Sequence, residues 1–327
     1  MLPKITIITP SFNQGQYIEE TILSIIEQDY PNLEYIIIDG GSTDQTLDII
    51  KKYEDRISNW VSEIDNGQAA AINKGLRLAT GDIINWINSD DLLVKGSLRK
   101  VAEEFLKNPD KVIIHGRIQY FGGRQFYSKN LSLKSIKERY AVHICMPQPA
   151  CFFRKKLIDE QGFLDEELHF SMDTDLYVRA GINYNILQID DVLAKFRLHE
   201  NSKSVSGFNK NFLTDNQTIV SRVFLSLKAD VEINELKKLG LFVKPEYLYK
   251  PNKYFNTQKL LFYYLEHRML TLQNTGQKKE FKRIFGYLIS NYSTQLFKSY
   301  KLIIYRLLLF LPSDSLHFLS RFKNKRI

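Results

Sequence analysis

Apolar residues near the amino terminus fall into short dense runs, separated by polar loops and by segments of helical spacing. Lys4 to Pro10 (KITIITP) is β-rich, and Tyr17 to Gln28 carries Ile18, Ile22, Ile25 and Ile26 at intervals that predict a helix. Leu33 to Ile38 predicts a second strand, followed by a glycine turn and a Ser/Thr/Asp helix start before Leu47, Ile49 and Ile50. Trp60 to Ile64 predicts a third strand, and Ala69 to Ala79 the helix after it. Ile83, Ile84, Trp86 and Ile87 read as a strand buried on both faces. Strands that alternate with helices predict an α/β chain with a mostly parallel sheet, because parallel neighbours need helical crossovers.

Three of these strands run into carboxylates: Asp39 in DGGSTD, Asp65 in EIDNG, and Asp90 with Asp91 in NSDD. Right-handed crossovers put such loops on one edge of a parallel sheet, so the acids are expected to line one crevice. Carboxylates at strand ends hold a divalent cation and, through it, phosphate oxygens. The same residue types also cap helices and form turns, and that alternative stands for Asp39 and for Asp90.

At these residues the chain resembles the family 2 glycosyltransferases, which have the GT-A nucleotide-diphospho-sugar transferase fold, a Rossmann-like, mostly parallel sheet flanked by helices. The matching pieces are TPSFNQGQYIEETILSI, IIIDGGSTDQT, SEIDNGQAAAINKGLRLATGD, INWINSDD, GFLDEELHFSMDTDLYVRAG and FRLHENSKS, in the family's order from the first strand to roughly Ser206. The resemblance implies a catalytic domain over 1–210, with a nucleotide-sugar half (1–110) and an acceptor half (111–210), and a helical, basic C-terminal extension over 211–327. It also points to the branch that assembles bacterial O-antigen and capsular polysaccharide.

The resemblance further implies a role for each matched residue. The loop at Thr9, Pro10 and Phe12 would offer backbone groups and an aromatic ring to the base of a nucleotide-sugar, and Asp39 and Asp65 would accept from base or ribose. Lys74 would reach the donor, unless it is simply solvated, and Ile72 stands where many relatives carry an Arg. Asn88-Ser89-Asp90 occupies the place of an Asp-x-Asp motif. There Asn88 and Ser89 would face the donor and Asp90 would ligate Mn2+ or Mg2+, hard cations suited to one carboxylate, phosphate oxygens and water. Asp91 would support the loop. Met172-Asp173 matches a Glu-Asp pair, which makes Asp173 the base that takes the acceptor proton; its plain alternative is a helix cap. Asp175 would face a structural Arg or Lys. His199 would complete the metal site or touch the diphosphate, or else be an ordinary surface or core histidine. Arg197 would contact the diphosphate or pair with Asp190 or Asp191.

The implied activity is inverting transfer from a UDP-type donor to a hydroxyl of a glycan or polyprenyl-diphosphate-linked acceptor. A nucleotidyltransferase would normally show a basic, glycine-rich loop near the amino terminus, and SFNQGQY has neither Lys nor Arg. A degenerate membrane-bound scaffold is the other alternative, suggested by the Asn88 and Met172 departures. Cys145 and Cys151 lack a CxxC pair and histidines at the ligand spacing of a zinc site, and read as buried thiols.

Charge adds a second theme. The net charge is +8 over 327 residues, yet residues 1–240 hold 29 Lys and Arg against 33 Asp and Glu, while 241–327 hold 16 against 4. The basic tail is also apolar: Lys259 to Leu272 and Phe281 to Leu288 are amphipathic, and Tyr300 to Leu311 is a short apolar helix interrupted by Lys301 and Arg306. Arg321, Lys323, Lys325 and Arg326 close it. Such a segment is too short and charged to span a bilayer and fits an interfacial helix on anionic lipid, or else helices packed on the catalytic domain. The charge would also suit nucleic acid, but no recognition motif accompanies it. With a strand starting at once and only two cysteines, the expected location is cytoplasmic and peripheral, on the inner face of the cell membrane.

Basic residues near an anionic surface contribute on the order of 1 kcal/mol each. The full chain is therefore expected to sediment with anionic liposomes at low salt and to be released along a salt series. Absence of binding at low salt would assign the tail to packing.

Overall fold

The computed structural model describes residues 1–123, 125–130, 136–142, 146–199, 210–274 and 277–297. Cys145, Ser202, Ser204, the Tyr300 to Leu311 segment and the basic residues at 321–326 lie outside the described residues. The chain divides into two compact units, Met1–Tyr264 and Leu265–Ile327.

The first unit begins with β1 (Ile5–Ser11), α1 (Ile18–Ile26), β2 (Leu33–Asp39), α2 (Thr46–Lys52), β3 (Asn59–Ser62), α3 (Gln68–Leu78) and β4 (Ile83–Trp86). It continues through β5 (Leu92–Leu93), α4 (Ser97–Lys107), β6 (Lys111–Phe121), β7 (Phe126–Tyr127), α5 (Ile136–Tyr140), β8 (Cys151–Arg154), α6 (Lys156–Gln161), α7 (Met172–Asn183) and β9 (Asn185–Arg197). Helices α8 (Lys210–Ser226) and α9 (Asp230–Lys238) follow, and α10 (Thr257–Asn274) starts within this unit. The sheet order is β3-β2-β1-β4-β8-β6-β9-β5, with β7 added to β6. β1 pairs in parallel with both β2 and β4, and β2 with β3, so the loops bearing Asp39, Asp65 and Asp90 leave one edge. β8 runs antiparallel to β4 and β6.

Side-chain alternation along β1 explains the layers. Ile5 and Ile7 join Ile18, Ile22 and Ile25 of α1 and Leu98, Val101 and Phe105 of α4 in one core. Ile8 faces the other way, toward α3, where a β-carbon on Gly75 would lie 2.5 Å from Ile8 Cγ2. Each Ile or Leu so buried stabilises the fold by roughly 1.5–3 kcal/mol. At the edge opposite the acidic loops, Glu34 accepts from Lys4, Thr6 and Thr80. Burial alone would raise its carboxyl, but those bonds outweigh it and hold it at about 2.

One expectation about the amino-terminal loop is corrected. β1 continues to Ser11, in register with Asp39, so Thr9 and Pro10 are buried ladder residues and not loop residues. The cause is β2, whose length lets the parallel ladder run on. In the second unit, α11 (Lys278–Phe297) leaves helical geometry at Tyr292, and Arg268 Nε donates to Glu280 at 2.6 Å. Among the described residues no helix is long and apolar enough to cross a membrane.

Gly181 of α7 faces α5 so closely that an added β-carbon would lie 2.7 Å from the carbonyl carbon of Tyr140. Gly181→Ala is expected to destabilise by roughly 1–3 kcal/mol, read as a lower urea midpoint. Gly286→Ala, which meets open space, serves as the control and is expected to cause no loss.

Candidate active site

Asp39, the last residue of β2, is fully buried and holds its loop together. Its Oδ2 accepts the backbone N–H groups of Gly41 at 3.0 Å and Ser42 at 2.9 Å, and the Ser62 hydroxyl at 2.7 Å. Its Oδ1 accepts the Ser42 hydroxyl at 2.5 Å. The turn requires Gly41 at φ +81°, where a side chain would be strained and would press on Ile64. Four hydrogen bonds, three on Oδ2 and one on Oδ1, tie Asp39 to its own loop and to β3. Asp65 is freer. Its Oδ1 accepts the Gly67 N–H at 2.7 Å, and Oδ2 lies where a β-carbon on Gly40 would come within 3.0 Å. The two loops therefore meet over a glycine.

Other expected donor-side residues fall on or behind this rim. Phe12 is 60 % exposed, an open aromatic beside the loop. The Thr9 hydroxyl accepts from Tyr35 at 3.1 Å inside the sheet. Lys74 is ion-paired with Glu63, so its ammonium is neither free nor simply solvated. Ile72 is buried.

The acidic cluster after β4 is braced from several elements. Asn88 Oδ1 accepts from Gln68 at 2.8 Å, and the Thr21 hydroxyl donates to the carbonyls of Ser89 and Asp91, each at 2.9 Å. Asp90 Oδ2 lies 2.9 Å from His199 Nε2, which brings together the two residues expected to share a metal. Asp91 is buried. Its Oδ1 accepts the Arg197 N–H at 3.0 Å, and burial, followed by the charge on Asp90, holds its carboxyl well above the usual range.

Arg197 does not pair with Asp190 or Asp191. Its Nε donates to the Asp90 carbonyl at 3.0 Å and Nη2 to Glu20 at 2.8 Å, with the guanidinium against the rings of Tyr17 and Phe121. Asp191 instead pairs with Lys100 at 3.4 Å, and Asp190 accepts from Asn130. The reason is direction: at the last residue of β9, Arg197 turns toward α1, while both acids sit in the middle of the strand.

No group of three or more His, Cys, Asp or Glu side chains is placed to hold a metal ion among the described residues. A hard divalent cation nevertheless fits the Asp90–His199 pair. Their 2.9 Å separation is close to the edge of an octahedron, about 3.0 Å when each bond is about 2.1 Å. Four buried polar atoms at this end of the sheet also lack a partner among the described residues: Ser11 Oγ, Gln14 Oε1, Asp91 Oδ2 and His199 Nδ1. Buried polar atoms are ordinarily paired, so their concentration fits a ligand or ion received there.

Asp173 lies in the first turn of α7, with Oδ1 accepting the Thr174 N–H at 2.7 Å. It keeps partial solvent access, yet the protein packed around it raises its carboxyl to about 6, against the opposing hydrogen bonds from Thr174. Tyr177, one turn on, stacks on Trp86 of β4 with centroids 6.2 Å apart, which seats the helix on the central sheet. Met172 is buried, and Asp175 is enclosed by Arg179 and Arg222. Sequence reasoning missed Gln68, Glu20, Tyr17, Ser42 and Ser62. All but Ser42, which lies three residues from Asp39, act across a gap in sequence that leaves no local signal.

The fold and rim together define a GT-A nucleotide-diphospho-sugar transferase architecture. Solved structures that share it include Staphylococcus aureus TarS 1–349 in complex with UDP-GlcNAc, with a TM-score of 0.57, 19% identity, and 83% of this chain and 81% of that one covered. Another is the mannosyltransferase PcManGT from Pyrobaculum calidifontis in complex with GDP-Man and Mn2+, with a TM-score of 0.51, 20% identity, and 70% and 65% covered. Residues 6–163, just under half of the chain, match the model of Glycosyl transferase family 2. An uncharacterized glycosyltransferase of Haemophilus influenzae is 38% identical over 122 residues, 36% of this chain and 48% of the relative. The putative teichuronic acid biosynthesis glycosyltransferase TuaG of Bacillus subtilis is 41% identical over 104 residues, 31% and 41% of the two lengths. The chain thus spans less than half the length of these two curated relatives.

The Asp173 carboxyl has a testable stability signature. Its folded value of about 6 is raised above the ordinary 3.8, so its contribution is fully present below 3.8 and is lost as pH rises through 6. With solvent access discounted, Asp173→Asn is expected to raise unfolding free energy by about 1–2 kcal/mol at neutral pH. The gain should shrink as pH falls toward 3.8, read from urea melts across the pH series. A loss of stability at neutral pH would instead show that the carboxylate holds the fold.

Proposed function

We propose that this protein is an inverting glycosyltransferase that moves a sugar from a nucleotide-diphosphate donor of the UDP type to a hydroxyl of a glycan or polyprenyl-diphosphate-linked acceptor. The setting is bacterial surface polysaccharide synthesis. The observation that carries this reading is the pairing of Asp90 with His199 on the rim that also bears Asp65, facing unpartnered buried polar atoms. The teichuronic acid assignment of TuaG and the UDP-GlcNAc bound to TarS support the substrate class. The cytoplasmic face of the membrane, reached through the basic tail, is the place where a lipid-linked acceptor would be met.

Phe12 stands where a base would stack and Asp65 where ribose or base would donate, while Asp39 keeps their loops in place. Asp90 and His199 would hold Mn2+ or Mg2+, which supplies Lewis-acid neutralisation of the leaving diphosphate. Asp173 takes the acceptor proton as the hydroxyl oxygen bonds to the anomeric carbon and the bond from that carbon to the diphosphate oxygen breaks. A single displacement inverts configuration. A carboxyl near 6 is mostly ionised at neutral pH and still basic enough to accept that proton.

The test is nucleotide release from a donor panel, with and without metal, in the presence of membrane lipid extract. Asp173→Asn is expected to lower turnover at least about a hundredfold with donor binding intact, and Asp90→Ala to abolish the metal-dependent reaction. Normal turnover by a folded Asp90→Ala variant, or a product of retained configuration, would sink the mechanism. Donor binding without transfer to any acceptor would favour the scaffold alternative.

A further inference from the structure

A cluster of buried charge behind α7 takes no part in the chemistry above. Arg222 of α8 donates Nη1 to Asp175 at 3.0 Å and to the Tyr247 hydroxyl at 2.7 Å, and its Nη2 pairs with Asp165 at 2.8 Å. The Tyr249 hydroxyl donates to the same Asp175 oxygen as Arg222, and the Tyr247 hydroxyl to Asp165 at 3.1 Å. Arg179 donates Nε to the other Asp175 oxygen at 2.8 Å and its remaining nitrogens to the carbonyls of Gln161, Gly162 and Phe163. Nearer the start of α8, Asp215 accepts the Phe170 N–H at 2.9 Å and Asn216 reaches the Ser171 hydroxyl at 3.3 Å.

These contacts have one target, the segment 161–171 and the first turn of α7. Burying two carboxylates and two guanidiniums is an expensive way to gain stability, since apolar packing of equal volume often does as well or better. What directional bonds add is orientation. Asp175 follows Asp173 by two residues, about 200° around a helix, so gripping Asp175 from inside fixes the opposite side of the same turn. A misplacement of about 1 Å at a reacting group costs on the order of a hundredfold in rate.

We propose that Arg222 and Tyr249 are positioning residues for the base: by locking Asp175 from α8 and from the segment 241–256, they fix the direction in which the Asp173 carboxylate meets the acceptor hydroxyl. The proposal rests on Asp173 being that base. It makes residues beyond the last strand part of the catalytic apparatus, although none of them touches substrate.

The experiment uses the full chain with Tyr249→Phe, Arg222→Lys and Asp173→Asn, alone and combined, under steady-state nucleotide release. Tyr249→Phe removes one hydroxyl and is expected to fold normally by circular dichroism, with kcat down about five- to tenfold and donor KM within about twofold. Arg222→Lys, which keeps the charge but loses the fork, is expected to cost more than about tenfold in kcat. On an Asp173→Asn background neither substitution should cost anything further, because both act through that carboxylate. A loss that multiplies on that background, a loss that tracks the unfolded fraction, or unchanged kcat in Tyr249→Phe would overturn the proposal. If Asp173→Asn abolishes transfer while Tyr249→Phe is normal, only the positioning role fails; if Asp173→Asn turns over normally, the base and its positioning fall together.

Discussion

Parallel pairing of β1 with β2 on one side and β4 on the other is the constraint from which the candidate site follows. Seven residue pairs hold the first ladder and four the second, and β1 is buried along its whole length. A strand so enclosed cannot slip by one residue without turning Ile5 and Ile7 out of one core and Ile8 out of the other. The shared direction of the strands then delivers Ser11, Asp39 and Asn88 to one edge. Every later contact at the rim, including the Gln68 bond to Asn88 and the glycine gap between Asp39 and Asp65, depends on that common edge.

The amino-terminal half was legible because a parallel sheet covered on both faces writes itself as dense apolar runs. The runs at β1, β2 and β4 and the helical spacing of α1 and α3 were read within a few residues of their observed ends. Turn chemistry was the weaker signal: Thr9 and Pro10 read as loop, yet belong to the ladder. The later strands mix directions, and β6 breaks its pairing with β9 at three irregular points, so no simple period marks its register. Acids at strand ends were visible as residue types. Their partners were not, because Arg197 reaching Glu20 and Thr21 reaching Ser89 are products of topology.

Two acids at the site illustrate how position divides one chemistry into different roles. Asp39 and Asp173 are the same side chain. One accepts four hydrogen bonds from its own loop and β3, while the other accepts from its own helix start and keeps an opening to solvent. The first organises loops, and the second retains capacity to accept a proton from outside. The number of bonds each accepts, more than residue type, separates the surroundings of the two acids.

The two-residue strand β5 carries a kinetic consequence. Leu92 and Leu93 lie just after the Asp90–Asp91 pair, but among the described residues their ladder is with Ala194 and Lys195, about a hundred residues onward. By contrast, β1, β2, β3 and β4 have one another as parallel partners as soon as the first part of the chain exists. During synthesis the first four strands can therefore assemble early, whereas the acidic loop, already held by Thr21 and Gln68, gains its ladder with β9 only when that strand emerges and closes a long loop around it. The arrangement makes completion of the Asp90–His199 pairing a late event in folding, because His199 follows β9 in the chain.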